Sequence, residues 1–468
     1  MDRRSFTTVL LVAGSTGTAL AKPRRGQAIA DVSTARDHGD APPHAPPLFF
    51  PSEPTSVGPS SSWYLGGFEL KPGSYYDNDG FDFAASYSRK NKLPPAPRLG
   101  VKLHSSGGYK SFVKSSFGPS DGTDIEVRTQ DGQAKQELDK SNRSEWWCYG
   151  TDGQPYPARR VAAMLQVLTE RYPQIDVTNK GIVYSGSSMG NGGVLHTMIL
   201  PDPWRARIAY SKGLVGVFMP RRINLRNPAM YSAWPADTPE NKAMWDAVDF
   251  EIQAVKDPIV RGMHYRHAFS TNDWFSRGPG DESTQLRWVK LCADNRISVA
   301  ATWVVGSHSH TERGINLPII SGFEDDAQDV TLDRAHPCFT NSLGNFPLAA
   351  SDITDRATYP RGHYNMGLTW DHAKIVDTAD EIVFPLKYTA RGNLGGGIPD
   401  QPARITVDVS PRRARHFAIR NGERIHWSWD GGAAAGTATV AGDVVTAVGV
   451  PMVSGAGYRR LRFSKVQV

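Results

Sequence analysis

Residues 181–193 read GIVYSGSSMGNGG, a serine framed by glycines directly after a short apolar run. A strand that must reverse sharply into a helix needs residues without a Cβ where backbones crowd. Gly186 and Gly190 flank Ser188 in the spacing G-x-S-x-G, which puts Ser188 at the apex of the turn with its hydroxyl clear of the sheet. Ser185 and Ser187 lack that spacing and read as turn residues. So short a pattern recurs by chance, and its surroundings have to decide.

Those surroundings alternate helix and strand. Before the motif, Pro157 takes a first-turn position, and Val161, Met164, Leu165 and Leu168 recur at i, i+3, i+4 and i+7 of a helix. "IVY" follows as a buried strand, "GVLHTMIL" begins a second helix stopped by Pro201 and Pro203, and "RARIAY" is the next strand. Upstream, Leu99, Val101 and Leu103 alternate in "RLGVKLHSSGGY" before a polar loop. The expected class is α/β, a doubly wound, mostly parallel sheet. Residues 216–262, rich in Pro, Met and Trp, read as an inserted cap. The rhythm then resumes with strand "HYRHAFSTND", helix "DESTQLRWVKLCADN" and strand "ISVAATWVVGSHSH".

Beyond residue 365 the pattern changes to period-two runs such as "ARITVDVS" and "ERIHWSW" between glycine-rich turns, as in an antiparallel β-sandwich. The expected division is an export signal over 1–21, a linker over 22–60, a catalytic domain over 61–365 and a β-sandwich over 366–468. The sandwich buries one face of each strand, so it reads as a separable module that holds substrate. The alternative is a structural brace, with Trp427 and Trp429 turned toward the first domain.

Nucleophilic acyl transfer by serine needs an exposed hydroxyl, a base and donors for the oxyanion. In an open parallel sheet these converge at the carboxyl ends of strands. Ser188, Asp273 and His308 each follow such a strand end. Asn272 and Asp281 compete with Asp273 for the acid, and His310 competes with His308, which follows Gly306 and Ser307 directly. His264 and His267 read as structural, and His104 as a support for its loop.

On the Gly186-Ser187-Ser188-Met189-Gly190 turn, and on the order Ser, Asp, His, residues 95–315 resemble the α/β-hydrolase superfamily. The loop "GSHS" is similar to the histidine loop of secreted polyester hydrolases and cutinase-like esterases. The resemblance implies Ser188 as nucleophile, His308 as base and Asp273 as its orienting acid. It implies one oxyanion donor at the Met189 N–H and a second at Ser105 or Ser106, where "HSSGG" partly matches the family's His-Gly-Gly-Gly loop. Trp146, Trp147, Trp234, Trp245 and Trp274 suggest an aromatic-lined cleft, with Trp274 and Trp147 the expected substrate contacts. The implied activity is cleavage of a carboxylic ester, bulky or polymeric, through an acyl-enzyme. The alternatives are a serine peptidase or amidase on the same fold, or a surface binding protein with a retired site.

The remaining signals bound this reading. Arg3 and Arg4, the stretch "TVLLVAG" and Ala19-Leu20-Ala21 form a basic start, a short apolar segment and a small-residue cleavage site. They predict export by a twin-arginine or general secretory route, to the periplasm or beyond, and the apolar segment is too short to span a bilayer. The net charge of +6 on 468 residues is mild and points to no nucleic-acid partner. Cys148, Cys292 and Cys338 cannot all pair within the chain, and none lies at metal-ligand spacing, so neither metal nor cofactor is expected.

Overall fold

The computed structural model describes residues 94–105, 123–130, 149, 155–191, 193–228, 234–306, 308, 330–345, 361–395, 398–430 and 434–466, with short strands between 48 and 87. The expected export signal, Ser106, Trp146, Trp147, Cys148 and His310 lie outside the described residues. Within the stretch read as a linker, Leu48–Phe49 pairs with Gly67–Phe68, and Thr55–Ser56 with Trp63–Tyr64.

Alternation of helix and strand produces the first layer. The order is β1 (Asp82–Tyr87), β2 (Leu99–Leu103), β3 (Ile125–Gln130), α1 (Tyr156–Arg171), β4 (Ile182–Gly186), α2 (Gly193–Ile199) and β5 (Ile208–Leu214). Four short helices follow, α3 (Pro220–Arg226), α4 (Lys242–Ala247), α5 (Phe250–Lys256) and α6 (Pro258–Arg261). Then come β6 (His264–Ser270), α7 (Thr284–Asp294) and β7 (Ser298–Val304). After β8 (His336–Thr340), β9 (Gly362–Tyr364) returns to give an eight-stranded sheet in the order β9-β7-β6-β5-β4-β2-β3-β1. The six inner strands run parallel, and the two edge strands β1 and β9 run antiparallel to their neighbours. This is the α/β-hydrolase sheet, with the cap segment serving as the crossover from β5 to β6.

One face of this sheet carries Leu99, Val101, Ile182, Tyr184, Tyr265, Phe269, Val299, Ala301 and Trp303, all in a single buried cluster. The α1 stripe, Val161, Met164, Leu165 and Leu168, packs into that cluster with no exposed surface. Each such side chain contributes about 1.5–3 kcal/mol by leaving water. Trp288 of α7 stacks on Phe218 at 4.6 Å, and Phe250 of α5 meets Trp288 edge-on. Trp234 and Trp245 lie 5.0 Å apart in the same core, so these two tryptophans fill the interior rather than line a cleft.

The opposite face meets the C-terminal domain. Its strands are β10 (Leu368–Trp370), β11 (Glu381–Tyr388), β12 (Arg404–Arg412), β13 (Arg424–Trp429), β14 (Ala435–Thr439), β15 (Ala447–Val453) and β16 (Arg459–Lys465). They form a sheet β8-β12-β15 and a sheet β10-β11-β16-β13-β14, all antiparallel. β8 falls within 61–365 by number but pairs with β12, and β9 then returns to the first sheet. The chain therefore crosses between the two layers before residue 365.

Val183, Ala209 and Tyr210 share one apolar cluster with Phe339, Trp370 and the sandwich core. The Arg413 guanidinium reaches across this contact, donating to Ala209 O at 2.7 Å and Ile208 O at 3.0 Å. Burial lowers its pKa to about 10, and the two carbonyls satisfy a charge that would otherwise be stranded. Arg412 donates to Arg261 O, and Asn365 bridges Val299 O and Phe339 O. A module free to separate would leave these groups unpaired. Trp427 and Trp429 are buried in that shared cluster. Cys292 and Cys338 are buried free thiols.

Histidines gather at the same contact. His264 accepts or donates at Ser298 Oγ (2.9 Å) and packs edge-on against Trp370, with His336 at 6.0 Å. Burial holds both rings well below the usual histidine range, and nearby arginines add to the shift. Burial also lowers His363 to about 4 and, on the helical face, His267 to about 3. Unfolded, each imidazole takes up a proton as pH falls through about 6.5, while the folded chain keeps it neutral. Stability is therefore complete above that range and declines below it, by about 1.4 kcal/mol per pH unit for each such histidine. The melting temperature should drop steeply between pH 7.5 and pH 5, and His336→Leu should make the drop shallower. Equal melting at the two pH values would contradict the buried neutral cluster.

Candidate active site

The Ser188 turn is built by backbone crowding. Ser188 sits at φ +56°, in the left-handed region that a side chain rarely adopts. A Cβ on Gly186 would lie 2.0 Å from Gly190 O, and one on Gly190 would lie 2.2 Å from Leu103 O. Only glycine permits either approach. The Ser188 N–H donates to Val215 O at 3.0 Å, while Gly190 and Asn191 donate back to Ser187 O and Ser188 O. Of the two serines read as turn residues, Ser185 lies within β4 and Ser187 is in extended backbone just before the turn, because the strand runs on to the residue preceding Ser188.

Three strand ends bring three side chains together. Ser188 Oγ is hydrogen-bonded to His308 Nε2, and His308 Nδ1 lies 2.9 Å from Asp273 Oδ2. Ser188 follows β4, Asp273 follows β6 and His308 follows β7. With Asp273 acting as acceptor, Nδ1 carries the ring proton and Nε2 is left to receive the serine proton. Asp273 has no exposed side-chain surface, whereas His308 keeps 29% of its own. The buried carboxylate takes two further hydrogen bonds, from Phe275 N–H at 3.1 Å and from Ser276 Oγ at 3.2 Å. Its rival Asn272 is exposed and accepts from Arg277 Nη2 at 2.6 Å instead.

The other candidates fall around this run. Met189 N–H belongs to the 3₁₀ turn Ser188–Gly190. Ser105 follows β2 by two residues, and the Leu103 and His104 carbonyls press against Gly190, so its loop borders the Ser188 turn. His104 is buried with Nδ1 2.9 Å from Ser105 O. Trp274 is 54% exposed beside Asp273, and Phe275 packs 4.7 Å from the His308 ring. His264 packs on Trp370 and His267 on Trp288, on opposite faces of the sheet. Sequence reasoning missed Ser276, Gln285 and Asn191, buried polar residues that no short motif marks. Among the described residues no group of three His, Cys, Asp or Glu could hold a metal ion, and no helix is long and apolar enough to cross a membrane.

No protein-family model matches the chain, and no curated protein matches it. Among solved structures it is similar to Porphyromonas gingivalis dipeptidyl peptidase 4, at 15% identity and TM-score 0.37, over 56% of this chain and 35% of that one. The chain thus spans about a third of that peptidase's length. It is also similar to an acetyl xylan esterase from Paenibacillus sp. R4, at 12% identity and TM-score 0.36, over 60% and 90% of the two chains. A third is Pyrococcus horikoshii acylaminoacyl peptidase, at 12% and 0.36, over 53% and 38%. The α/β-hydrolase fold itself follows from the strand order and from where Ser188, Asp273 and His308 leave the sheet.

Gly190→Ala tests the turn. The added methyl meets the Leu103 and His104 backbone, so the turn must move, and turnover should fall by about a hundredfold or more. A Gly190→Ala variant with unchanged turnover would mean that the crowding at Leu103 O does not position Ser188.

Proposed function

We propose that the chain is a serine hydrolase that cleaves carboxylic esters through an acyl-enzyme. The observation that supports this most is the unbroken hydrogen-bonded run from Ser188 Oγ through His308 to the buried Asp273 carboxylate. In this reading the serine proton passes to His308 Nε2 as Oγ attacks the ester carbonyl carbon. Asp273 holds the imidazole in the required tautomer and stabilises the imidazolium. The oxyanion is met by the Met189 N–H and by a second N–H from Ser105 or Ser106. His308 then gives its proton to the leaving alcohol, and water repeats the sequence to release the acid.

The substrate reading is a bulky or polymeric ester. Trp274, more than half exposed beside the acid loop, supports an apolar platform at the rim, with Trp147 as its proposed companion. The amino-terminal pattern supports export to the periplasm or beyond, where such substrates are met.

Chromogenic acyl esters and peptide amides, assayed side by side with wild type and Ser188→Ala, test the reading. Ester turnover should fall by about four to six orders of magnitude in the variant, with melting little changed because a half-buried turn hydroxyl adds little stability. Ester turnover that survives Ser188→Ala would overturn the proposal, and turnover of amides alone would favour a peptidase or amidase.

A further inference from the structure

The end of β5 carries two consecutive carbonyls that serve opposite halves of the site. Val215 O accepts from the Ser188 N–H at 3.0 Å and from Asn191 Nδ2 at 3.2 Å. Gly216 O accepts from Gln285 Nε2 at 3.1 Å and lies 2.9 Å from Ser276 Oγ. Ser276 Oγ is also 2.9 Å from Gln285 Nε2 and 3.2 Å from Asp273 Oδ2. Asp273, Ser276 and Gln285 are all buried, so no bulk water competes for these contacts.

Donor and acceptor chemistry fixes the direction of this network. A carbonyl only accepts, so the nitrogen of Gln285 and not its oxygen must face Gly216 O. That nitrogen also donates to Ser276 Oγ, which leaves the hydroxyl proton to be given elsewhere. Two acceptors compete for it, the neutral Gly216 carbonyl and the Asp273 carboxylate. A hydrogen bond to an ionised acceptor is about twice as strong as a neutral one, and Gln285 already serves the carbonyl. The proton therefore goes to Asp273 Oδ2, the same oxygen that faces His308 Nδ1.

Apart from His308, the group it has to orient, the Asp273 carboxylate is held at its other oxygen by the Phe275 N–H, and because the terminal torsion of a carboxylate is broad, Ser276 adds a hold that does not depend on His308. We propose that Ser276, held in orientation by Gln285, is a positioning residue that fixes the Asp273 carboxylate against His308. This rests on the hydrolase reading of the same site. Thr284 Oγ1 donating to Ser276 O at 2.6 Å and the Ser276 N–H to Asp273 O hold the backbone of this short loop. The nucleophile and acid loops are thereby tied to one dipeptide, Val215-Gly216.

A double-mutant cycle with Asp273→Asn separates positioning from mere packing. On a turned-over ester, Ser276→Ala should lower kcat by about 10- to 100-fold, with KM little changed. In the Asp273→Asn background, adding Ser276→Ala should have no further effect, because there is no carboxylate left to orient. Gln285→Leu should behave the same way, and it carries the cycle if Ser276→Ala melts below the assay temperature. Unchanged kcat in the single variants, or equal losses in both backgrounds, would overturn the proposal. A fluorophosphonate label on Ser188 keeps the two readings apart. Labelled Ser188 with additive losses sinks the positioning role alone, and an unlabelled Ser188 sinks the hydrolase reading with it.

Discussion

Gly190 packs its Cα against the Leu103 carbonyl with no room for a single methyl group, and Gly186 packs against Gly190 in turn. This contact draws the ends of β2 and β4 together and forces Ser188 into the left-handed region at φ +56°. Residues held there persist only where the surroundings over-determine them. Here the determinants are the Ser188 N–H bond to Val215 O and the parallel register of β2, β4 and β5. The hydroxyl is then presented to His308 without any side chain having to reach.

The second constraint is a buried charge on each side of the sheet. At its carboxyl end the Asp273 carboxylate is buried among His308, Phe275 N–H and Ser276 Oγ, the donors an ionised acid requires. On the far face Arg413 is buried on the carbonyls of Ile208 and Ala209 at the start of β5. One strand thus meets the C-terminal domain where it begins and the site where it ends. Lost support at Arg413 would be felt along β5 and, through Val215 and Gly216, at the loops that carry Ser188 and Asp273.

The parts of this arrangement that depend on local pattern were legible in the sequence. G-x-S-x-G marks its own turn, the α1 stripe repeats at helical spacing, and polar residues close β6 and β7 where Asp273 and His308 stand. What was hidden depends on tertiary pairing. β8 is buried at every position and so shows no alternation, β9 has only three residues, and each is a strand because β12 and β7 receive it. Arg413 is one of several arginines in "SPRRARH", and nothing local says that it enters a core. Ser276 and Gln285 are ordinary polar residues until the fold sets them behind Asp273. Trp234 and Trp245 looked like cleft residues because tryptophan serves interiors and clefts equally well.

The central claim is that His308, oriented by Asp273, activates Ser188. Peptide mapping after treatment with a fluorophosphonate, on wild type and on folded His308→Ala, tests it most directly. The expected result is one adduct, on Ser188, in the wild type and none in the variant over the same interval. An adduct on Ser187 or any other serine, or equal labelling of Ser188 without His308, would contradict it.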